Sequence, residues 1–379
     1  QDKKQRELTE SHALLQQRFE LIQQMTPDYA EFQAVKESLS YRFLCFHRKI
    51  TGNILRFFTF LRQGFGLFKY LGAKEVFRKF RNRFSAVAVG FDGQALNEQY
   101  QRHLEHCQLT PERRHQITTR LNSFSYRPTI SILTPVYNVE PRWLNACIQS
   151  VLDQLYPHWE LCLYDDASTS QATRACLKAW EGKDFRIKIR FGEKNRHIAG
   201  ASNQALNIAT GEFVGLLDHD DELTPDALFQ VVQALQLQPK TDMFYSDEDK
   251  RELDGRLVEP HFKPDWSPET FESMMYSCHF SVFRRSLVQS IGGFRPGYEG
   301  SQDYDLVLRV TEETDRIVHL PQVLYHWRKI PGSAAAMADA KHYTSQAAEK
   351  ALRDRLLREK GEGTVEPGIT MGSYRMRRT

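Results

Sequence analysis

From Pro128 onward, short β-rich runs alternate with helical patterns, and this rhythm restricts the fold more than any other feature of the chain. Thr129–Leu133 (TISIL), Trp159–Tyr164 (WELCLY), Arg186–Phe191, Glu212–Leu217 and Asp242–Tyr245 read as strands. Between them, Trp143, Cys147, Ile148, Val151, Leu152 and Leu155 form an apolar stripe opened by Pro141, and further helices are expected over Ala199–Ala209 and Pro225–Leu237. Parallel strands need a crossover of about a dozen residues or more, which a helix fills. The pattern therefore predicts an α/β domain with a mostly parallel, Rossmann-like central sheet and helices on both faces.

In such a sheet the ligand binds at the carboxyl ends of the strands. The first run ends in Thr134-Pro135-Val136-Tyr137-Asn138, the second in Asp165-Asp166-Ala167-Ser168 and the fourth in Asp218-His219-Asp220-Asp221. All three polar clusters are thereby expected on one edge. Three carboxylates within four residues repel one another at neutral pH, and a buried cluster of this kind requires a neutralising cation. Oxygen ligands suit Mn²⁺ or Mg²⁺, which retain waters and take further ligands from a substrate diphosphate. The expected site is a metal–diphosphate site. A solvated acidic loop, or the acidic cluster of a nuclease or phosphatase, uses the same residues.

The rest of the 379-residue chain has a different texture. Its 41% hydrophobic content suffices for a large core, and its length suits two domains or one domain with an added segment. No stretch reaches the ~18 uninterrupted apolar residues of a membrane span, and the opening QDKKQRELTE lacks the apolar core of an export signal. Six cysteines without a C-x-x-C pair suggest reduced thiols. The net charge of +3 hides an uneven distribution: residues 42 to 83 hold eleven Lys/Arg against one acid, so this segment carries +10 and the remainder −7. The bases are interleaved with phenylalanines from Phe43 to Phe84, a composition that suits the headgroup boundary of an anionic membrane. A helical subdomain with a phenylalanine core is the other reading; nucleic acid is not expected, since no nucleic-acid motif accompanies the charge. Ahead of this segment, Leu8, Leu15, Phe19 and Ile22 mark an amphipathic helix that packs on the body or self-associates. Residues 95 to 127 read as a polar helical connector. Three regions result: a helical region over 1–127, the α/β domain over 128–335, and a C-terminal helix and tail over 336–379.

The α/β region resembles glycosyltransferase family 2, the inverting nucleotide-sugar transferases of GT-A fold. The resemblance is carried by ISILTPVYN (130–138), LYDDAS (163–168), IAGASNQALNIATGEFVGLLDHDDEL (198–223), FYSDED (244–249), GGFRPGYEGSQDYDLVLRV (292–310) and LYHWRKIPGSA (324–334). It implies that Tyr137 lines or stacks on the nucleobase and that Asp166 accepts from the base's imide N–H, which favours UDP- or dTDP-sugars without excluding GDP donors. Pro135 and Asn203 fall in the same donor-binding set. Asp218 and Asp220 correspond to the acidic D-x-D pair: Asp220 would bind the metal directly, and Asp218 would reach the ribose or the metal's water shell. His219, between them, is expected to point outward.

Inversion by direct displacement needs one carboxylate to take the proton of the attacking hydroxyl. The resemblance assigns this to an acid opening a helix, commonly the second of a Glu-Asp pair. Here the pair is Gln302-Asp303, so Asp303 is the candidate base and Gln302 replaces a charge with an amide. Asp305 is the alternative, but two residues along a helix it faces away from Asp303. His326, in YHWR, resembles a position that closes over the diphosphate or metal, and Arg328 and Lys329 would neutralise leaving-group charge or be surface bases. Asp247, Glu248 and Asp249 are expected at the tip of the fifth strand, in reach of donor or acceptor sugar, and Gln302 is expected in reach of the same sugars. Trp266 is a sugar platform or a core residue.

These expectations add up to a metal-dependent hexosyl- or deoxyhexosyltransferase that acts on a glycan or lipid-linked glycan in bacterial surface polysaccharide assembly, such as O-antigen, capsule or lipopolysaccharide. It would work in the cytoplasm, peripheral to the inner membrane. A sugar nucleotidyltransferase would carry a glycine-rich loop after the first strand, which TPVYNVEP lacks. A membrane-bound scaffold with a degenerate transferase domain is the non-enzymatic alternative.

Overall fold

The computed structural model describes residues 93–330, 338–370 and 372–379. The chain divides into two units, Gln1–Asp92 and Gly93–Thr379, and the description concerns the second. The amphipathic helix and the basic–aromatic segment lie outside the described residues. No helix of the described residues is long and apolar enough to cross a membrane.

Two helices, α1 (Gly93–Cys107) and α2 (Pro111–Asn122), precede the sheet. Thr110 caps α2 by accepting from the Arg113 N–H, with Pro111 in the first turn. The α/β rhythm then follows as β1 (Ile130–Val136), α3 (Pro141–Leu152), β2 (Trp159–Asp165), α4 (Gln171–Trp180), β3 (Ile187–Phe191), α5 (His197–Ile208) and β4 (Phe213–Leu216). These strands lie in the order β3-β2-β1-β4, all parallel. Register pairs Val136 with Asp165 and Leu133 with Leu216, so the polar tips of β1, β2 and β4 emerge at one edge.

The second half is mixed. It comprises β5 (Glu222–Leu223), α6 (Ala227–Leu237), β6 (Met243–Arg251), β7 (Leu257–His261), α7 (Pro268–Ser273), β8 (Ser281–Arg284), α8 (Arg285–Ser290), α9 (Gln302–Glu313), β9 (Ile317–Arg328), α10 (Ala338–Arg358) and the hairpin β10 (Gly363–Pro367) and β11 (Tyr374–Arg378). The sheet continues from β4 as β8-β6-β9-β5, with β7 on β6. Here β8 is antiparallel to both neighbours, β5 is antiparallel to β9, and β6 runs parallel to β9. The parallel arrangement read from sequence thus describes β3 to β4, and a mixture of antiparallel pairings and the parallel β6–β9 pair completes the sheet. The β6–β9 register shifts twice, between Ser246 and Asp247 and between Asp247 and Glu248.

Side chains alternate across the sheet and supply two cores. Ile132, Leu161, Leu163 and Phe213 face Leu144, Ile148 and Val151 of α3 and Val231 and Leu235 of α6. Leu133, Cys162, Val214 and Met243 belong to the opposite cluster, with Ala201 and Ala205 of α5, Leu306, Val307, Leu308 and Val310 of α9, and Ala351 and Leu352 of α10. Strands buried on both faces are continuous apolar runs, which is why β1 and β2 stand out in the sequence. Phe124, just after α2, stacks on Phe229 of α6 at 5.8 Å. The stretch read as a connector is therefore part of the same compact unit.

Candidate active site

The turn after β4 is held from two sides. The Asp218 N–H donates to the Tyr325 hydroxyl at 3.2 Å, and that hydroxyl donates to Asp221 Oδ2 at 2.6 Å. Asp221 Oδ1 accepts from the Arg328 N–H at 2.7 Å. Both oxygens of Asp221 are thus committed to β9. His219 does not point outward as its middle position suggested: its Nδ1 lies 3.0 Å from the Pro135 carbonyl oxygen and joins the tip of β1 to the acidic turn. Arg328 is likewise no free cation. It is buried, with its Nε donating to the Asp220 carbonyl at 2.9 Å and its guanidinium paired with Glu222. Lys329 pairs at the surface with Glu252 and Glu259.

The carboxylates of this turn feel one another. Burial, then Asp220 and Asp218, push Asp221 well above the usual carboxylate range, and burial also raises Asp220. Burial alone would raise Asp218, but the ring of His279 outweighs it and lowers the group. Asp220 and Asp221 resist ionisation through burial and the neighbouring carboxylates, a strain that a divalent cation would relieve, and the turn's oxygen donors suit Mn²⁺ or Mg²⁺.

Asp218 opens into a cleft that also contains Pro135, Leu217, Cys278, His279, Gln302, Asp303 and Tyr325. Asp303 stands in the first turn of α9, where its Oδ1 accepts from the Tyr304 N–H at 2.8 Å. Burial raises its affinity for a proton. The Gln302 amide oxygen accepts from the Gly300 N–H at 2.8 Å and so closes the loop before the helix. Asp305 turns the other way, as the helical period requires. It is fully buried between Arg295 Nε at 3.1 Å and Arg309 Nε at 3.0 Å. Cys278 remains a thiol, its pKa pushed up to about 11 by burial.

Beside the cleft, Tyr137 projects from the end of β1 with 43% exposure. The next residue, Asn138, braces this loop by donating its N–H to Ser168 Oγ at 3.0 Å and accepting from the Ser170 N–H at 2.9 Å. Asp166 is buried at the tip of β2, accepting from the Arg196 N–H at 2.8 Å, and burial raises its pKa. Asn203 does not face the cleft with a free amide. It donates to the Phe294 carbonyl at 2.7 Å and accepts from the Phe294 N–H at 2.9 Å, tying α5 to the loop before α9. Gly293 makes that tie possible: its φ is +68°, and a Cβ there would lie 2.4 Å from Asn203 Oδ1. Gly293→Ala is expected to cost about 1–2 kcal/mol from the left-handed backbone alone, with the steric conflict in addition. A lowered melting temperature relative to the wild type checks this.

Other sequence candidates are placed elsewhere. Asp247, Glu248 and Asp249 do not end a strand, because β6 runs on to Arg251 under pairing from β7 and β9. They are buried and paired: Asp247 with His319 Nε2 at 2.8 Å, Glu248 with Lys263 Nζ at 3.0 Å, and Asp249 with His326 Nδ1 at 2.6 Å. Each of the three carboxylates thus has a partner inside the protein. His326, with Asp249 and the Tyr100 hydroxyl, lies on the opposite side of β9 from Tyr325 and is not brought to Asp218. Trp266 packs on Phe271 at 4.9 Å and on Tyr245 at 6.2 Å, inside an aromatic cluster. Asp220 is close enough to influence Asp218 and Asp221 but does not line the cleft. His279 and Tyr325 are the cleft residues that sequence reasoning missed. The only local signal for His279 was its position before the β-rich run SVFR.

The family described as Glycosyl transferase family 2 matches residues 131–292. A Bacillus subtilis protein named as the glycosyltransferase EpsE is 30% identical over 210 residues, covering 53% of this chain and 73% of EpsE. The chain belongs to glycosyltransferase family 2. This glycosyltransferase is also 44% identical over 251 residues to the y4gI protein of Sinorhizobium fredii, covering 65% of this chain and 28% of that one. It is 36% identical over 253 residues to the O-antigen biosynthesis protein RfbC of Myxococcus xanthus, covering 67% of this chain and 20% of RfbC. The family 2 chain therefore spans about a quarter of the length of these two relatives.

Proposed function

We propose that this family 2 domain is a metal-dependent, inverting transferase that moves a sugar from a UDP- or dTDP-sugar to a glycan hydroxyl. The observation that carries the reading is the meeting of Asp218 and Asp303 in one cleft, from the β4 turn and the first turn of α9. Asp303 takes the proton of the acceptor hydroxyl as its oxygen bonds to the anomeric carbon. The bond from that carbon to the diphosphate oxygen breaks on the opposite face, so the configuration inverts. The raised proton affinity of Asp303 suits a base, and Asp305, locked between two arginines, is excluded from that role. A bound Mn²⁺ or Mg²⁺, held by Asp218 and Asp220, would neutralise charge on the departing diphosphate.

Tyr137 serves as the base-stacking ring and Asp166 as the acceptor for the imide N–H, in keeping with the exposure of the one and the burial of the other. Tyr137→Ala is expected to weaken UDP binding about tenfold, within the ~1–3 kcal/mol range for stacking on an aromatic side chain; calorimetric titration with UDP checks this. The acceptor belongs to a bacterial surface polysaccharide, a reading supported by the name of RfbC. The charge and phenylalanines of residues 42 to 83 support work at the cytoplasmic face of an anionic membrane. Flotation of the full chain with anionic vesicles at low salt tests that part, and a chain that stays at the bottom of the gradient removes it.

A panel of nucleotide sugars incubated with Mn²⁺, and in parallel with chelator, tests the central reading. Metal-dependent release of UDP or dTDP is expected. Turnover that chelator leaves untouched, or no turnover with any donor, would overturn it.

A further inference from the structure

We propose that His279 supplies a nitrogen ligand to the cation of the acidic turn, and that Glu248 orients the ring for this. The inference rests on the metal reading above and assigns to the site a residue outside every motif that suggested it. His279 Nε2 lies 3.8 Å from Asp218 Oδ2. That is longer than a good hydrogen bond, but two ligand atoms each ~2.1 Å from a shared cation lie up to ~4.2 Å apart. Ligand atoms of Asp218, Asp221 and His279 all fall within 4.8 Å of one another. Asp221 has both oxygens engaged by Tyr325 and Arg328, which leaves Asp218 and His279 to face an ion from the cleft.

The other ring nitrogen carries the stronger argument. His279 Nδ1 is 3.2 Å from Glu248 Oε2. An imidazole that binds a metal characteristically donates its remaining N–H to a carboxylate, which fixes the tautomer and leaves the far nitrogen's lone pair for the ion. Glu248 is itself anchored by the fully buried Lys263, whose Nζ is 3.0 Å away and also donates to the Cys278 and His279 carbonyls. The plane of the ring is set by Tyr325, stacked on it at 4.6 Å and 16°. One tyrosine thus holds both the acidic turn and the histidine beside it. His326, the ring suggested by sequence, has its Nδ1 on Asp249 and its place on the opposite side of β9.

The test uses the full chain with Mn²⁺ alone. Free Mn²⁺ is counted by electron paramagnetic resonance, and electron spin-echo modulation of the bound ion reports whether nitrogen is coordinated. The wild type should bind with one nitrogen coupling. His279→Gln should weaken binding by about 10–100-fold and lose the coupling, and Glu248→Gln should weaken binding by about tenfold. Should His279→Gln fail to fold, the coupling in wild type and its persistence in His326→Gln decide the matter. Bound Mn²⁺ without nitrogen coupling overturns the role of His279 and leaves an all-oxygen metal site standing. Coupling lost in His326→Gln rather than in His279→Gln also overturns it. A wild type that binds no Mn²⁺ sinks both this inference and the metal-dependent reading.

Discussion

Asp303→Asn should reduce sugar transfer by about 10²–10⁴-fold, the range over which a positioned general base acts, while UDP affinity stays close to wild type. The asparagine keeps the shape of the side chain and its place in the first turn of α9 but cannot accept the hydroxyl's proton. Single-turnover transfer and calorimetric titration with UDP, run on one preparation, separate the two effects. If transfer survives the substitution, another group is the base; if UDP affinity collapses with it, Asp303 belongs to the donor site.

Asp305→Ala should do something different two residues away. The carboxylate is fully buried and bonded to Arg295 and Arg309, and Arg309 also donates to the Ile291 and Gly293 carbonyls. Removing the acid leaves a buried guanidinium without its counter-charge, which costs about 3–5 kcal/mol. Urea unfolding should show a lowered midpoint with an unchanged slope, while the protein that remains folded retains transfer. Equal stability of Asp303→Asn and Asp305→Ala would contradict the division of labour between the two faces of α9.

The first four strands and the helices α3, α5 and α6 were legible because each is an apolar run or a stripe with its own period, whereas α4 (Gln171–Trp180) was not read. The polar tips could be placed on one edge from the parallel order alone. The second half resisted reading because its strands carry charges inward. Asp247, Glu248 and Asp249 resemble a solvated strand end until His319, Lys263 and His326 are seen beside them. Each acid is satisfied by a partner remote in sequence, and spacing does not report such pairs. The same applies at the site: Asp303 was found through its motif, whereas His279 gains its meaning from Glu248 of β6 and Asp218 of the turn after β4.

The double register shift between β6 and β9 falls just before Tyr325 and His326. Consecutive residues of a strand point to opposite faces, so these irregularities set the parity with which YHW is read. Moving the strand on by one residue there would put His326 in the place of Tyr325, facing the acidic turn, and Trp327 in the place of His326, against Asp249. An odd change of length carried through this stretch turns every following side chain to the other face, a constraint on any redesign or grafting of the domain.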